Sequence, residues 1–267
     1  MTEVLHINHS CGFFSCCSVR LDCIVKYLNK YKKLPEVVDS SKQFAWYKIN
    51  KTQSDITFHY FEHYDKLTTK IDYRSDVDYI EGYQYNDYNT LKYEEISPFV
   101  EKYFSPSNEI TQSVQELEIK YALDYENICV LFYRGNDKIT ETQLCSYDEY
   151  ITYAQEVLLK NPSTRFFIQS DETEFIEMMI NLFPFNSFYM KEEIRHMRKC
   201  NNTVDYVHRN EIDKYSKLYL AITIIMSKCK YIVCGSGNCS IWIMLYRGNN
   251  KNTYQNLDGR WITSTEN

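Results

Sequence analysis

The chain of 267 residues is poor in glycine (7) and proline (5), and it carries neither a low-complexity tract nor a repeat of fixed period. Solenoid and low-complexity architectures are thereby excluded. Basic charge is not in excess: 30 Lys and Arg stand against 36 Asp and Glu, a formal net charge of −6 with a pI of about 5.6. Such a balance gives no bulk attraction to nucleic acid or to an anionic membrane. No apolar run reaches the ~18 residues of a membrane-spanning helix. The opening residues 1–8 lack a basic stretch followed by an apolar core, so no secretory leader is expected. The 10 cysteines include no C-x-x-C pair, and the adjacent Cys16 and Cys17 lack metal-finger spacing. Cys129 and Cys234 sit in apolar runs, where a thiol packs as a small hydrophobe. Reduced thiols in a cytoplasmic compartment are the expectation. Neither a P-loop nor a dinucleotide fingerprint occurs, which argues against the common kind of kinase.

What is present is the composition of a globular protein, 44% hydrophobic and 25% charged, long enough to bury a core without disulfides or metals. By length it forms one large domain or two of ordinary size. Aromatic residues make up 16%, including 25 Tyr, enough to line a sugar site. The pattern opens strand, loop, helix, strand at 4–7, 9–15, 17–31 and 36–39, the start of a doubly wound sheet. Residues 40–105 are weakly periodic, with a strand expected at 56–61 from its β-branched and aromatic content. A helix is expected from about 109 to 123. Strands then follow at 128–133, 165–169 and 231–234, with helices at 147–160, 173–183, 211–228 and 241–246. Ser146 and Glu149 form a capping box, and Asn161-Pro162 stops the helix it opens. The fold class expected is α/β, with two Rossmann-like domains facing a cleft and the first one small. The division is placed at 1–108 and 109–267.

Three polar loops follow the three strands of the second half, and a parallel sheet delivers all three to one edge. The first holds Arg134, Gly135, Asn136, Asp137, Lys138 and, three residues on, Glu141. A guanidinium there matches a phosphate bidentately and keeps its charge in a cleft. The ordinary reading is a solvated charged turn. The second loop is Ser170-Asp171-Glu172, whose acids suit either a ribose or base contact or a helix N-terminus. The third, Gly235-Ser236-Gly237-Asn238, turns into a helix, so phosphate could approach bare backbone and N–H groups.

Taken together, Tyr133-Arg134-Gly135-Asn136-Asp137-Lys138, then Phe167-Ile168-Gln169-Ser170-Asp171-Glu172, then Met226 to Asn238 resemble the three peptide motifs of the α-1,6- and protein O-fucosyltransferase superfamily. The likeness covers roughly residues 110–247. It implies a GT-B glycosyltransferase that inverts the anomeric centre, takes GDP-fucose as donor substrate, and needs no metal or other cofactor. By correspondence Arg134, Asp137 and Lys138 match the family's Arg-Arg-x-Asp-Lys motif. Glu141 matches its catalytic Glu after a one-residue gap. Ser170, Asp171 and Glu172 match Thr-Asp-Asp, and Gly235, Ser236, Gly237 and Asn238 match the third turn. Catalysis would then rest on Glu141, Arg134 and Lys138, and donor binding on the remainder with Arg134. His9, Gly12 and Phe13 form an acceptor-side loop similar to the protein O-fucosyltransferase opening. Partners implied are a nucleotide sugar and a glycan or protein acceptor, with no nucleic acid and no membrane span. Two departures stand out. Gly135 replaces the second Arg, and the acidic residue preceding the third motif falls near Ile222 and Thr223. Another nucleotide sugar, or a catalytically decayed glycan- or nucleotide-binding module, remains the alternative.

Asp76 and Asp78 form a D-x-D, which could hold a metal against a diphosphate, but this spacing is common by chance. His6, His9, His59 and His63 read as structural, acceptor-facing or solvated groups rather than metal ligands.

Overall fold

The computed structural model describes residues 3–50, 53–192, 196–200, 202–207 and 209–264. The chain opens with β1 (Val4–His6), α1 (Phe13–Tyr31) and β2 (Val37–Asp39). The two strands pair in parallel, with α1 as their crossover. α1 starts at Phe13 rather than near Cys17. Phe13 and Phe14 are both buried and extend the apolar stripe of Cys17, Leu21, Ile24 and Leu28 by one turn.

Where a strand was expected at 56–61, the chain forms the short helix α2 (Thr57–Tyr60). Asp55 accepts the Thr57 N–H at 2.9 Å. Ile56 with Tyr60, and Thr57 with Phe61, are buried pairs at helical spacing. The remainder of 40–92 is mostly loop broken by short 3₁₀ turns. Buried tyrosines hold it together: Tyr60 bonds Ser216 at 2.8 Å, Tyr83 bonds Thr90 at 2.8 Å, and Tyr93 donates to the Tyr88 carbonyl at 3.0 Å. These rings are core rather than sugar-lining. α3 (Tyr93–Phe104) runs through Pro98, and its Ile96, Phe99, Val100 and Tyr103 are buried.

The second half alternates α4 (Asn108–Tyr121), β3 (Ile128–Tyr133), α5 (Tyr147–Lys160), β4 (Arg165–Ser170), α6 (Thr173–Leu182), β5 (Ser187–Phe188), α7 (Val204–Val207), α8 (Ile212–Lys228), β6 (Tyr231–Gly235) and α9 (Asn238–Arg247). It closes with β7 (Thr253–Leu257) and β8 (Arg260–Ser264). The capping box of Ser146 and Glu149 is formed. The sheet order is β5-β4-β3-β6-β7-β8, parallel throughout except for the β7–β8 hairpin. β3 is buried on both faces. Ile128, Val130 and Phe132 enter one core, while Cys129, Leu131 and Tyr133 enter another. The larger core runs from Leu21 of α1 to Trp242 of α9, so the two halves share it. Strand order reverses between β3 and β6, where open α/β sheets leave a crevice beyond the strand ends. Among the described residues no helix is long and apolar enough to cross a membrane.

Candidate active site

Arg134 is the first residue beyond β3. Its Nε donates to Asp171 Oδ2 at 2.9 Å, its Nη2 to Asp137 Oδ1 at 3.2 Å, and its Nη1 to the Tyr219 hydroxyl at 3.3 Å. Burial works against its charge, but Asp171, Tyr219 and Asp137 outweigh that and hold its pKa well above the ordinary value. The side chain keeps 22% exposure, enough to meet a ligand. Asp171 is the clamp. Its second carboxylate oxygen accepts the Gly135 N–H at 2.9 Å, and its carbonyl accepts from Asn136 Nδ2 at 2.7 Å. A second cation follows one turn later: Lys138 Nζ lies 2.5 Å from Glu141 Oε2 and 3.9 Å from Asp137 Oδ2.

Beyond β6 the turn is fixed through its backbone. Ser236 N–H reaches the Asn256 carbonyl at 2.7 Å, and Gly237 N–H reaches the Tyr88 hydroxyl at 3.3 Å. α9 then starts with neither a side-chain cap nor an acidic residue in its first turn. Asn238 turns away to accept a bond from Ser18 of α1 at 2.9 Å. α1 likewise starts at Gly12 without a side-chain cap or a first-turn acid. Both N-termini open onto one cavity of about 320 Å³, lined also by Arg134, Asp137, Lys138 and Glu141. Helix N-termini carry partial positive charge and unbonded N–H groups. Arg134 and Lys138 stand beside them, each paired with a carboxylate, and the arrangement is one that suits an anionic ligand. It lies at the crevice between β3 and β6.

The NodZ α-1,6-fucosyltransferase soaked with GDP-fucose matches 98% of this chain and 98% of its own, at a TM-score of 0.58 and 10% identity. The chain has the NodZ fucosyltransferase fold. The fucosyltransferase NodZ from Bradyrhizobium gives a TM-score of 0.55 over 98% of both chains, and NodZ co-crystallized with GDP gives 0.53 over 91% of both, each at 10% identity. No protein-family model and no curated protein sequence matches the chain.

In this NodZ-like fold the residues singled out in the sequence divide into two sets. Gly12, Phe13, Arg134, Asp137, Lys138, Glu141, Gly235, Ser236, Gly237 and Asn238 line the cavity. Ser170, Asp171, Glu172 and His9 are not among its lining residues. Ser170 and Asp171 sit behind the guanidinium with Tyr219, so Asp171 meets Arg134 and Gly135 where a ribose or base contact had been an option. His9 Nε2 bonds Ser15 Oγ at 3.0 Å, one step removed from the cavity wall. Asp76 is exposed and pairs with Lys32, outside the cavity. His63 packs against both Phe58 and Tyr64. Among the described residues no group of three or more His, Cys, Asp or Glu is placed to hold a metal ion.

The structure adds Trp46, Tyr85, Asp205 and Tyr219 to the wall. The Tyr85 phenol is raised in pKa by burial and then by the Glu141 charge. Tyr219 was legible only as part of the buried stripe of α8. Trp46 and Tyr85 lie in the stretch without periodicity.

Gly135 has a spatial reason rather than a conformational one. A Cβ there would lie 2.1 Å from Glu172 Oε1 and 2.7 Å from Tyr133 Cε1. Glu172 is fully buried and bonds the Tyr147 hydroxyl, so it has little room to withdraw. Gly135→Ala is expected to cost about 1–3 kcal/mol as an overpacked site, measured by chemical denaturation. Unchanged stability would mean that Glu172 moves freely.

Glu172 Oε1 has no hydrogen-bond partner. Burial, the largest influence, raises the Glu172 pKa, with partial relief from Tyr147 and Lys199. An acid whose folded pKa is raised disfavours folding as pH climbs through its unfolded value near 4.3 and beyond. Glu172→Gln is therefore expected to melt higher than wild type at pH 7, with the gap closing toward pH 4. A gap that widens on acidification would reverse the sign of this account.

Proposed function

We propose that the chain is an inverting, metal-independent glycosyltransferase that moves fucose from GDP-fucose to a hydroxyl of a glycan or protein. The observation that supports this is the convergence of Arg134, Lys138 and the N-terminal ends of α1 and α9 on one cavity at the sheet crevice, with the first N–H of α1 already bonded to the Tyr47 hydroxyl. NodZ structures of the same fold are described with GDP or GDP-fucose. In this reading the diphosphate sits against Arg134 and the turn at Gly235 to Asn238. Glu141 takes the proton of the acceptor hydroxyl. The oxygen bonds to the anomeric carbon, the bond from that carbon to the phosphate oxygen breaks, and the electron pair leaves on the diphosphate. Arg134, Lys138 and the helix N–H groups stabilise the growing charge. Asp171 positions Arg134 and does not touch the donor. Residues 109–267 form the donor-binding part and residues 1–108 the acceptor-side part. The ten cysteines are free thiols, as suits a reducing cytoplasm.

The test is a thermal-shift titration with GDP, UDP, dTDP and CMP, with and without EDTA. A ligand that binds only the folded state stabilises it by about 2.7 kcal/mol at 100 times its Kd. A GDP-selective shift indifferent to EDTA is expected. A shift confined to UDP plus metal, or no shift with any nucleotide, would overturn the reading.

A further inference from the structure

The closing hairpin of β7 and β8 fastens three of the segments around the cavity. The Asn256 carbonyl on β7 accepts the Ser236 N–H at 2.7 Å and fixes the turn after β6. Gln255 donates from Nε2 to Ser236 Oγ and to the Asn86 carbonyl, both at 2.8 Å, and its Oε1 accepts the Tyr88 N–H at 3.0 Å. The third segment is the loop that carries Glu141 from β3 to α5. Asp258 reaches it from the tip of the hairpin. Its Oδ1 accepts the Gln143 N–H at 3.0 Å and the Thr142 hydroxyl at 3.4 Å. A Cβ on Gly259 would lie 2.9 Å from Gln143 Cδ, so the Gln143 side chain rests on the turn itself. At the far end of the same loop, Trp261 of β8 donates its Nε1 to Glu149, the acid of the capping box, at 3.0 Å.

We propose that Asp258 is a positioning residue for Glu141. The proposal rests on the reading of Glu141 as the base. Upstream, the Glu141 and Thr142 N–H groups both bond the Lys138 carbonyl, at 2.9 and 3.1 Å. Downstream, residues 143–146 lie in neither helix nor strand, so no ladder holds them. Asp258 supplies a hold there, on the two residues that follow Glu141. A base acts only within about 2.6–3.2 Å of the proton it takes, and a misplacement of about 1 Å can cost about 100-fold in rate. Asp258 is not among the residues lining the cavity, so its influence on transfer passes through the loop. An aspartate that served its turn alone would bond the backbone two residues on. Here Oδ1 bonds partners 115 and 116 positions away in sequence. The tip is itself fixed, because Asn256 Oδ1 accepts the Gly259 N–H at 3.2 Å.

The test uses the full chain and follows GDP release from GDP-fucose with water as the acceptor. The water oxygen bonds to the anomeric carbon, its proton goes to Glu141, and the bond to the diphosphate breaks. Asp258→Gly and Asp258→Asn are each made with Glu141 intact and with Glu141→Gln. Glycine accepts the φ of 51° and removes the carboxylate, whereas asparagine adopts the same turn and keeps an Oδ1 acceptor. Asp258→Gly is expected to lower kcat by about 10- to 100-fold, with the KM for GDP-fucose and the GDP-induced melting shift unchanged. Asp258→Asn is expected to recover most of the loss. On the Glu141→Gln background Asp258→Gly is expected to add nothing, since both changes act through one group. Amide hydrogen exchange over residues 136–146 is expected to quicken in Asp258→Gly while β3 stays protected. Unchanged exchange, unchanged kcat, or an equal further loss on the Glu141→Gln background would overturn the positioning role. A wild type that binds GDP but releases none from GDP-fucose would sink the base reading and the positioning role together, an outcome distinct from those three.

Discussion

Arg134→Ala is expected to lower sugar transfer by about 10³-fold or more and to remove the GDP-induced melting shift. The guanidinium is held by Asp171, Asp137 and Tyr219, so on the proposed function it would meet a diphosphate without reorganising. Pre-set charge in a partly closed cavity acts on the leaving group more strongly than mobile charge in water. The substitution also costs stability, because Asp171 is 3% exposed and keeps only the Gly135 N–H on its carboxylate. Breaking a fully buried pair costs about 3–5 kcal/mol, and the partial exposure of Arg134 reduces that. Assays therefore belong well below the melting temperature of the variant. Arg134→Lys separates charge from geometry. It restores a cation, but a point charge cannot hold three partners at fixed angles, so an intermediate loss is expected. Transfer at near wild-type rate in Arg134→Ala would remove this residue from the mechanism.

The part of the fold that repeats strand and helix was legible because burial imposes it. β3 is apolar at every position since both of its faces meet a core, and its limits at 128 and 133 follow from that. The capping box at Ser146 fixed the start of α5 through a local hydrogen-bond pattern. The stretch from 40 to 105 was not legible, because its order comes from tertiary tyrosine contacts rather than periodicity. α3 passes through Pro98, which reads as a helix stop when its packing is unseen. The closing hairpin carried a readable sign, Asp258-Gly259, both at positive φ of 51° and 78°, the pair that a two-residue turn requires. In the site, residues that follow strands were found by their position. Trp46 and Asp205 were not, since their place in the cavity wall depends on two distant segments meeting. Asp171 was read with Glu172 as either a ribose or base contact or a helix N-terminus. Its burial behind Arg134 shows that a carboxylate after a strand can serve the loop next to it.

Gly135 and Glu172 belong to the same lesson. The resemblance leads one to expect a second arginine at 135 and an aspartate at 172. The longer Glu172 fills the space where a side chain at 135 would start. The departure at 135 and the longer acid at 172 thus fit one another in packing, and Arg134 is the one arginine lining the cavity among the described residues. Lys138 and the open ends of α1 and α9 remain to balance a diphosphate.

Glu141→Gln is expected to reduce transfer by about 10² to 10⁴ while the GDP-induced shift persists. Glu141 lies on the cavity wall at 37% exposure, bonded to Lys138 at 2.5 Å. Glutamine keeps the shape and loses the proton-accepting charge. It also leaves Lys138 with only the 3.9 Å pair to Asp137, so GDP binding should hold or strengthen. Azide supplies the decisive comparison, because it is already an anion and needs no base. Its nitrogen bonds to the anomeric carbon as the carbon–oxygen bond to GDP breaks, so azide should recover sugar release in Glu141→Gln but not in Arg134→Ala. Full transfer by Glu141→Gln would remove Glu141 from the base role and leave Asp137 and Asp205 as the other carboxylates on the cavity wall. Loss of transfer without azide rescue would mean that Glu141 acts by holding Lys138 in place.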